Sequence, residues 1–222
     1  MTRCQFAVSY YDQRESKTKP FRCEQEVTEN SNLCIFHDKA NYENNTSKIL
    51  DKLKDIINKN AAEKRPLKLV GYNIPDISFR QLKSTNLQND VYFNFTTFHG
   101  VSDFSGVVFS GICDFSDVTF KGGATFLKTK FKDAAYFVSA AFDNVADFSN
   151  SKFSEGCRFS YCNFAEQSAA FFTEVIFAKT AEFDNSVFAK IDFSDATFKM
   201  EAKFGYAKFT NKVFNCFAAS WA

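Results

Sequence analysis

Large apolar residues recur along the middle of the chain at intervals that alternate between five and six residues. The alternation runs without a gap from Leu82 to Phe164 and continues, after a break, to Phe209. Its members are Leu82, Leu87, Phe93, Phe98, Phe104, Phe109, Phe115, Phe120, Phe126, Phe131, Phe137, Phe142, Phe148, Phe153, Phe159 and Phe164. The repeating unit is therefore eleven residues, as in ADFSNSKFSEG at residues 146–156.

A second signal accompanies the first, because the residue two positions before each large one is usually small, as at Ala124, Ala135 and Cys157. Residues two apart in an extended chain point to the same side, so each half-repeat directs one small and one large residue inward. Self-similarity at a fixed period, without helical spacing, predicts a solenoid whose units bury their apolar edges against one another. Four inward phenylalanines facing each other from four short sides require two units, or 22 residues, per coil.

The motif around each inward phenylalanine, ADFS at residues 146–149 and AEFD at residues 181–184, resembles that of pentapeptide-repeat proteins. The likeness is to the Phe-centred variant with an extra residue in every second repeat, and it covers roughly residues 71–217. It implies an all-β solenoid, a right-handed quadrilateral β-helix of about six 22-residue coils. It says little about activity, because one fold hosts many functions.

We expect three parts in the chain: a zinc-binding segment at residues 1–45, an amphipathic capping helix and lead-in at residues 46–70, and the β-helix at residues 71–222. The repeat slips twice, with a step of eight between Phe164 and Phe172 and a step of five, where six was due, between Phe188 and Phe193. The first slip predicts a bulge at a corner. Such bulges are often kept where a partner docks, although slippage without consequence is the alternative.

Four potential metal ligands lie in the polar first forty residues: Cys4, Cys23, Cys34 and His37. The last two have C-x2-H spacing, which lets a thiolate and an imidazole reach one tetrahedral ion across a tight turn. Four such ligands without a fifth candidate fit a closed structural zinc site, whose binding free energy would also fold the segment. The other gaps are not those of a common zinc finger, so free thiols remain the alternative.

Residues 46–64 change to a helical period. Their apolar side chains form one stripe on a helix, at Ile49, Leu50, Leu53, Ile56 and Ile57. We expect Thr46 or Ser47 as the N-cap and Pro66 to end the helix. An unprotected β-helix end exposes backbone edges and aromatic rings, so we interpret this helix as a cap rather than as a membrane-surface helix.

Composition adds few constraints on function. The chain has a net charge of +1, from 13 basic and 11 acidic residues through Asp76 and 14 basic and 15 acidic residues after it, so neither part predicts nucleic-acid binding. No apolar run predicts a membrane span or an export signal. Seven cysteines without a paired framework favour a reducing cytoplasm.

No catalytic constellation is visible, and we expect a chain that is not an enzyme. His99 follows an inward phenylalanine and should point to solvent. Asp103, Asp147 and Asp192 fall at equivalent outward positions, but Thr125 and Phe171 interrupt them. A rod filled with phenylalanine also offers no obvious pocket for acid–base chemistry.

The remaining cysteines of the repeat are expected to be structural. Cys113 and Cys157 should lie two coils apart, which is too far for a disulfide, and with Cys162 they occupy the small inward position. We therefore expect core residues at these three positions.

Two functions remain open. The first is a structural or protein–protein interaction scaffold with an unidentified protein partner. The second is the DNA-mimic role of some pentapeptide-repeat proteins, which modulate topoisomerases or other DNA-binding proteins; the near-zero charge of residues 77–222 speaks against it. We also expect Phe214, Phe217 and Trp221 either to cover the last coil or to join two chains end to end as a homodimer.

Overall fold

Four parallel sheets wind around columns of phenylalanine rings in a computed structural model of the chain, which describes residues 2–39, 42, 45–166, 168–210, 214–215 and 220–221. Only the backbone is described for the last two pairs. Each sheet has seven strands of two residues, and successive strands along the chain go to successive sheets. The result is the parallel β-solenoid of about six turns that the period predicts.

We name the sheets walls 1 to 4 in the order in which the chain reaches them. Wall 1 contains β3 (Leu67–Lys68), β7 (Val91–Tyr92), β11 (Cys113–Asp114), β15 (Ala135–Tyr136), β19 (Cys157–Arg158), β23 (Ala181–Glu182) and β27 (Ala202–Lys203). Wall 2 contains β4 (Asn73–Ile74), β8 (Thr97–Phe98), β12 (Thr119–Phe120), β16 (Ala141–Phe142), β20 (Asn163–Phe164), β24 (Val187–Phe188) and β28 (Lys208–Phe209). Wall 3 contains β5 (Ile77–Ser78), β9 (Ser102–Asp103), β13 (Ala124–Thr125), β17 (Ala146–Asp147), β21 (Ala170–Phe171), β25 (Ile191–Asp192) and β29 (Phe214–Asn215). Wall 4 contains β6 (Asn86–Leu87), β10 (Val108–Phe109), β14 (Lys130–Phe131), β18 (Lys152–Phe153), β22 (Ile176–Phe177), β26 (Thr197–Phe198) and β30 (Ser220–Trp221).

Strand pairing confirms the length of the coil. Phe109 pairs with Phe131 and Phe131 with Phe153, a step of 22 residues each time. The first slip lies between β20 and β21, at a corner that includes a hydrogen bond from Ser168 N to Ala165 O of 2.8 Å. The extra residues are therefore accommodated outside the strands, and the pairing of the four sheets continues past them.

The interior consists of stacked aromatic rings. Phe104, Phe126 and Phe148 stack with ring centroids 4.8 and 4.6 Å apart, as the period predicts. Rings of neighbouring columns meet edge to face, as Phe115 and Phe126 do at 5.5 Å and 86°. Both arrangements suit the quadrupoles of aromatic rings, so one small set of contacts repeats along the rod.

The prediction that Leu82 begins the inward series is wrong. Phe79 stacks on Phe104 at 4.8 Å and is fully buried, whereas Leu82 is only partly buried against the core. The corner between β5 and β6 is longer than later ones, and the spacing from Leu82 to Leu87 matches the repeat by coincidence.

A cap that precedes the rod covers its first coil. It comprises the antiparallel hairpin of β1 (Ala7–Asp12) and β2 (Lys17–Arg22), the segment with the four potential ligands, and the helix α1 (Thr46–Ala62). Ile49, Leu53 and Ile57 of α1 are buried in one core with Leu67 and Leu69 of the first coil. The predicted capping helix is thus confirmed; within the described residues, no helix is long and apolar enough to cross a membrane.

The ends of α1 differ from the sequence-based prediction. Its N-cap is Asn45, without a side-chain capping bond, instead of Thr46 or Ser47. The helix ends at Ala62, before Pro66, because Lys64 adopts a φ of 53° and the amide of Arg65 bonds back to Asn60 O at 3.0 Å. This is a Schellman-type ending with lysine at the position that glycine usually occupies.

At the other end, the backbone of Phe214 and Trp221 continues walls 3 and 4, pairing with Ile191 and Phe198. The expected C-terminal lid or homodimer contact depends on side chains, including that of Phe217, that lie outside the described residues.

Candidate metal centre

The structure brings together the four residues that the sequence suggested as metal ligands. Cys4 lies next to the bridge between Arg3 and Glu26, and its amide bonds to Gln25 O at 2.8 Å. Cys23 directly follows β2. Cys34 and His37 are joined by a tight turn in which His37 N donates to Cys34 O at 2.9 Å.

The four ligand atoms are close enough to one another to share one metal ion. They all lie within 4.8 Å of one another and could hold a metal ion. Sγ of Cys23 and Sγ of Cys34 are 3.7 Å apart, and Nδ1 of His37 lies 3.1 Å from Cys34 Sγ and 3.6 Å from Cys4 Sγ. A tetrahedron with zinc–sulfur bonds of about 2.3 Å and a zinc–nitrogen bond of about 2.0 Å has edges of roughly 3.5 to 3.8 Å. The distances scatter around these edges, and three sulfurs with one imidazole nitrogen form a donor set that suits zinc.

Outer hydrogen bonds orient the ligands. Nε2 of His37 lies 3.1 Å from Val70 O, which leaves Nδ1 as the nitrogen that faces the three sulfurs. The amide of Cys34 donates to Cys4 Sγ at 3.2 Å, and the amide of Gln25 donates to Cys23 Sγ at 3.5 Å. Such bonds stabilise negative charge on sulfur, as a thiolate ligand requires. Val70 could not be predicted from the sequence, because it contributes only its backbone oxygen.

The pKa values of Cys34 and Cys23 are shifted in opposite directions. The hydrogen bond from Cys23, together with His37, holds the pKa of the Cys34 thiol well below its ordinary value. The hydrogen bond to Cys34 raises the pKa of Cys23. All four ligands are buried, at most 7% exposed, and a bound cation would compensate the buried thiolate charge.

Aromatic packing attaches the cluster to the rod. Phe6 stacks on His37 at 3.8 Å, and its ring occupies the space that a Cβ at Gly71 would need. Phe36 stacks on Tyr72 at 4.2 Å. Gly71 has a φ of 71°, so both its conformation and its lack of a side chain allow this approach. The sequence did not reveal the contact of Gly71 with Phe6, because the two residues lie far apart in the chain.

The outward aspartates of wall 3 accept hydrogen bonds from backbone amides. Asp103 accepts a hydrogen bond from the amide of Ser105 at 2.9 Å, and Asp147 and Asp192 do the same for the amide two residues on. Burial alone would raise the pKa of Asp103, but its hydrogen bonds hold it below the ordinary value. These carboxylates close turns at the corner, and the strand register confirms that Thr125 and Phe171 separate them.

His99 is not the solvated side chain that we expected. Its Nε2 lies 2.9 Å from Oδ1 of Asn73, and its ring stacks on Tyr42 of the cap at 4.3 Å. The expectation failed because the cap extends over the side of wall 2 as well as over the end of the rod.

The cysteines of the repeat are core residues, as predicted. Cys113, Cys157 and Cys162 are at most 3% exposed, and burial raises the pKa of each thiol. Ala135 separates Cys113 from Cys157 in the register of wall 1, which confirms a distance of two coils.

The surface has a groove and a cleft that the sequence did not suggest. A groove of about 330 Å³ follows wall 1 between Tyr136 and Glu182, and a cleft of about 610 Å³ separates β2 from α1. Both lie outside the column of rings, which agrees with an interior filled by phenylalanine.

Comparison with known families agrees with this architecture. The family described as pentapeptide repeats (9 copies) matches residues 82–130 and 126–168. The coils contain pentapeptide repeats. The match lies within the coils and does not extend to the cap or its cluster. A search of curated proteins found no significant match.

Proposed function

We propose that this pentapeptide-repeat protein is a non-catalytic scaffold for protein–protein interaction, with a structural zinc ion in its cap. The observation that carries the proposal is the filled core: stacked rings hold every coil at a fixed position, so the outward side chains form four rigid ladders. Rigid elements are well suited to presenting a binding surface, because little conformational freedom is lost on association.

Contacts of the ionisable residues favour binding over catalysis. The carboxylates of wall 3 accept backbone hydrogen bonds, and His99 is stacked beneath Tyr42. Acid–base catalysis needs a titratable group within reach of a substrate in a cleft. The same interruption by Thr125 and Phe171 argues against a DNA mimic, which needs a continuous row of negative charge.

For the cluster we propose one zinc ion, held by Cys4, Cys23, Cys34 and His37. A closed set of four protein ligands is typical of a structural site, whereas a catalytic zinc keeps a position open for water or substrate. Three thiol ligands also need reducing conditions, and the six described cysteines are all free, which supports a cytoplasmic location.

A complex with a purified partner tests the scaffold. Proteins captured from native lysate are identified, and the main candidate is purified and mixed with the full chain. We expect a stoichiometric complex in sedimentation whose affinity changes when an exposed residue of the partner-binding surface is substituted, while the fold is unchanged. The scaffold proposal is wrong if no captured protein forms such a complex with the purified chain.

The homodimer through the C-terminal end stays a separate proposal. Sedimentation of the wild type against Phe217→Asp tests it: we expect a dimer that the substitution converts into a folded monomer, and a wild type that is monomeric at tens of micromolar rejects the contact.

A further inference from the structure

The cleft between β2 and α1 is a candidate binding site that the metal centre does not use. Its volume of about 610 Å³ is within the usual range for ligand sites. Phe21 and Ile56 supply apolar surface, and Arg22, Arg65 and Lys68 supply positive charge. Glu24 is the one acidic residue among the described residues that line it.

The positive charges of the cleft are largely uncompensated. Arg65 has only an ion pair of 3.3 Å with Glu63, in which the Arg65 side chain is 70% exposed. Nζ of Lys68 lies 5.8 Å from the ring centroid of Tyr10 and 5.9 Å from that of Tyr92. Within the described part of the chain, neither Lys68 nor Arg22 forms an ion pair. Exposed pairs of this kind contribute little, so an anion that enters the cleft displaces no strong partner.

The neutral side chains of the cleft suit a polypeptide. Gln25 and Asn60 also line it, and Nδ2 of Asn60 already donates to Ile56 O at 2.9 Å. That bond fixes the amide and leaves its oxygen for another donor, such as a peptide N–H. A peptide combines such donors with apolar side chains and carboxylates. In the cleft, an apolar side chain would pack on Phe21 and a carboxylate would pair with the cations.

We propose that this cleft binds a short peptide segment of a partner protein that contains both acidic and large apolar residues. The inference rests on the proposed scaffold function and names its partner by chemistry. β-Strand addition to β2 is not the mode, because Pro20 lacks an N–H and blunts that edge. Recognition is instead through side chains.

The cleft is also attached to the metal centre. Phe21 packs edge to face on Phe6 at 6.3 Å, and Phe6 stacks on His37. On the opposite side, Tyr72 meets His37 edge to face at 5.1 Å. Since both contacts depend on the orientation of His37, peptide binding should depend on the intact cluster.

The test begins with a random peptide library presented to the full-length protein as purified. We expect selected peptides to combine Asp or Glu with Leu, Ile or Phe. A fluorescent copy of the best peptide is then titrated against the wild type and against Arg22→Glu combined with Lys68→Glu. We expect binding to weaken at least about tenfold, which corresponds to about 1.4 kcal/mol. Both side chains are exposed, so the variant should fold, and circular dichroism checks this.

The matched control is Lys130→Glu combined with Lys152→Glu, which changes the charge equally on wall 4 and should leave peptide affinity within about twofold. The proposal is wrong if the library selects no acidic peptides or if the control weakens binding as much as the cleft variant. It is equally wrong if a single-stranded oligonucleotide or an anionic lipid vesicle binds more tightly through the same residues.

Failure of this proposal is distinguishable from failure of the scaffold. If the purified partner complex survives Arg22→Glu combined with Lys68→Glu, the scaffold stands and the cleft is not its binding site.

Discussion

The rod and the cap both bury aromatic rings, but they are stabilised in different ways. In the rod each ring meets the same neighbours one coil above and below, as Phe126 does with Phe104 and Phe148 at 4.8 and 4.6 Å. In the cap each contact occurs once, as in the pair of Phe6 and His37. When one ring of the rod is removed, many equivalent contacts remain along the core. A contact that occurs only once in the cap has no equivalent that could replace it.

The cap therefore depends on its cluster. Its hairpin and ligand segment are polar, and much of their burial is provided by four ligands and the few rings around them. A small segment with so little core usually needs a metal or a disulfide to fold. We therefore expect that damage to the cluster unfolds the cap and leaves the rod folded.

The largest expected effect is that of Cys34→Ser. Structural zinc contributes on the order of 10 kcal/mol or more to the folding of such segments. We expect rapid proteolysis within residues 2–65 and a largely intact fragment that contains the rod. Cys113→Ser is the control, because it changes a buried cysteine in the repeat and should leave the cap resistant. Equal resistance of the cap in both variants would contradict a stabilising cluster.

A cavity in the rod should have the next largest effect. Phe126→Ala removes a fully buried ring and should lower the free energy of unfolding by about 3 to 5 kcal/mol. Phe204→Ala should cost less, because Phe204 is only partly buried in a late coil. Chemical denaturation of both variants measures the difference, and a Phe204→Ala cost equal to that of Phe126→Ala would contradict the burial gradient.

Gly71→Ala tests the junction of the two regions. Gly71 and Gly106 have nearly the same φ, 71° and 69°, but an added Cβ would overlap Phe6 at Gly71 and would meet nothing within 4 Å at Gly106. Gly106→Ala should cost about 1 kcal/mol from backbone strain alone. Gly71→Ala should cost roughly 1 to 3 kcal/mol more, since the ring must move off His37. Thermal denaturation of the two variants measures their difference in stability, which reports the contact between Phe6 and His37.

The smallest predicted effect concerns pH. Burial raises the pKa of Asp114 on wall 1 from 3.8 to about 6 in the folded chain. The folded state therefore binds this proton more tightly than the unfolded state, and the stability that results is present below about pH 4 and is lost as the pH rises through 6.

Asp114→Asn should remove this dependence and raise stability at pH 7 by on the order of 1 to 3 kcal/mol, because no buried charge remains. Asparagine keeps an oxygen for the amide of Ser116, which Asp114 bonds at 2.9 Å. Urea denaturation at pH 5 and pH 7 measures both effects. An unchanged pH dependence in the variant would show that other groups cause it.

The rod was predictable from the sequence because its one physical rule, a small and a large residue directed inward at a fixed period, is repeated in nearly every coil. The rule failed at the first coil, where Leu82 matches the spacing but Phe79 fills the column. Only the structure shows that the corner there is longer.

The cap was predictable only in part. The residue types of Cys4, Cys23, Cys34 and His37 identified the cluster, since few other roles need three thiols and an imidazole together. The hairpin was missed because residues 7–22 are polar and pack only one side against the rod. The contacts of His99 with Tyr42, and of Phe6 with Gly71, join residues distant in sequence and follow no periodic pattern.

Hydrogen exchange with and without a zinc chelator tests the central claim most directly, namely that a metal holds the cap on a rod that is stable by itself. Elemental analysis first measures the zinc content, for which we expect about one zinc per chain. On chelation we predict that amides of residues 4–37 and of the first coil lose protection, while amides from Ala124 to Phe188 keep theirs. A zinc-free protein with a protected cap, or an equal loss of protection along the whole chain, would contradict the claim.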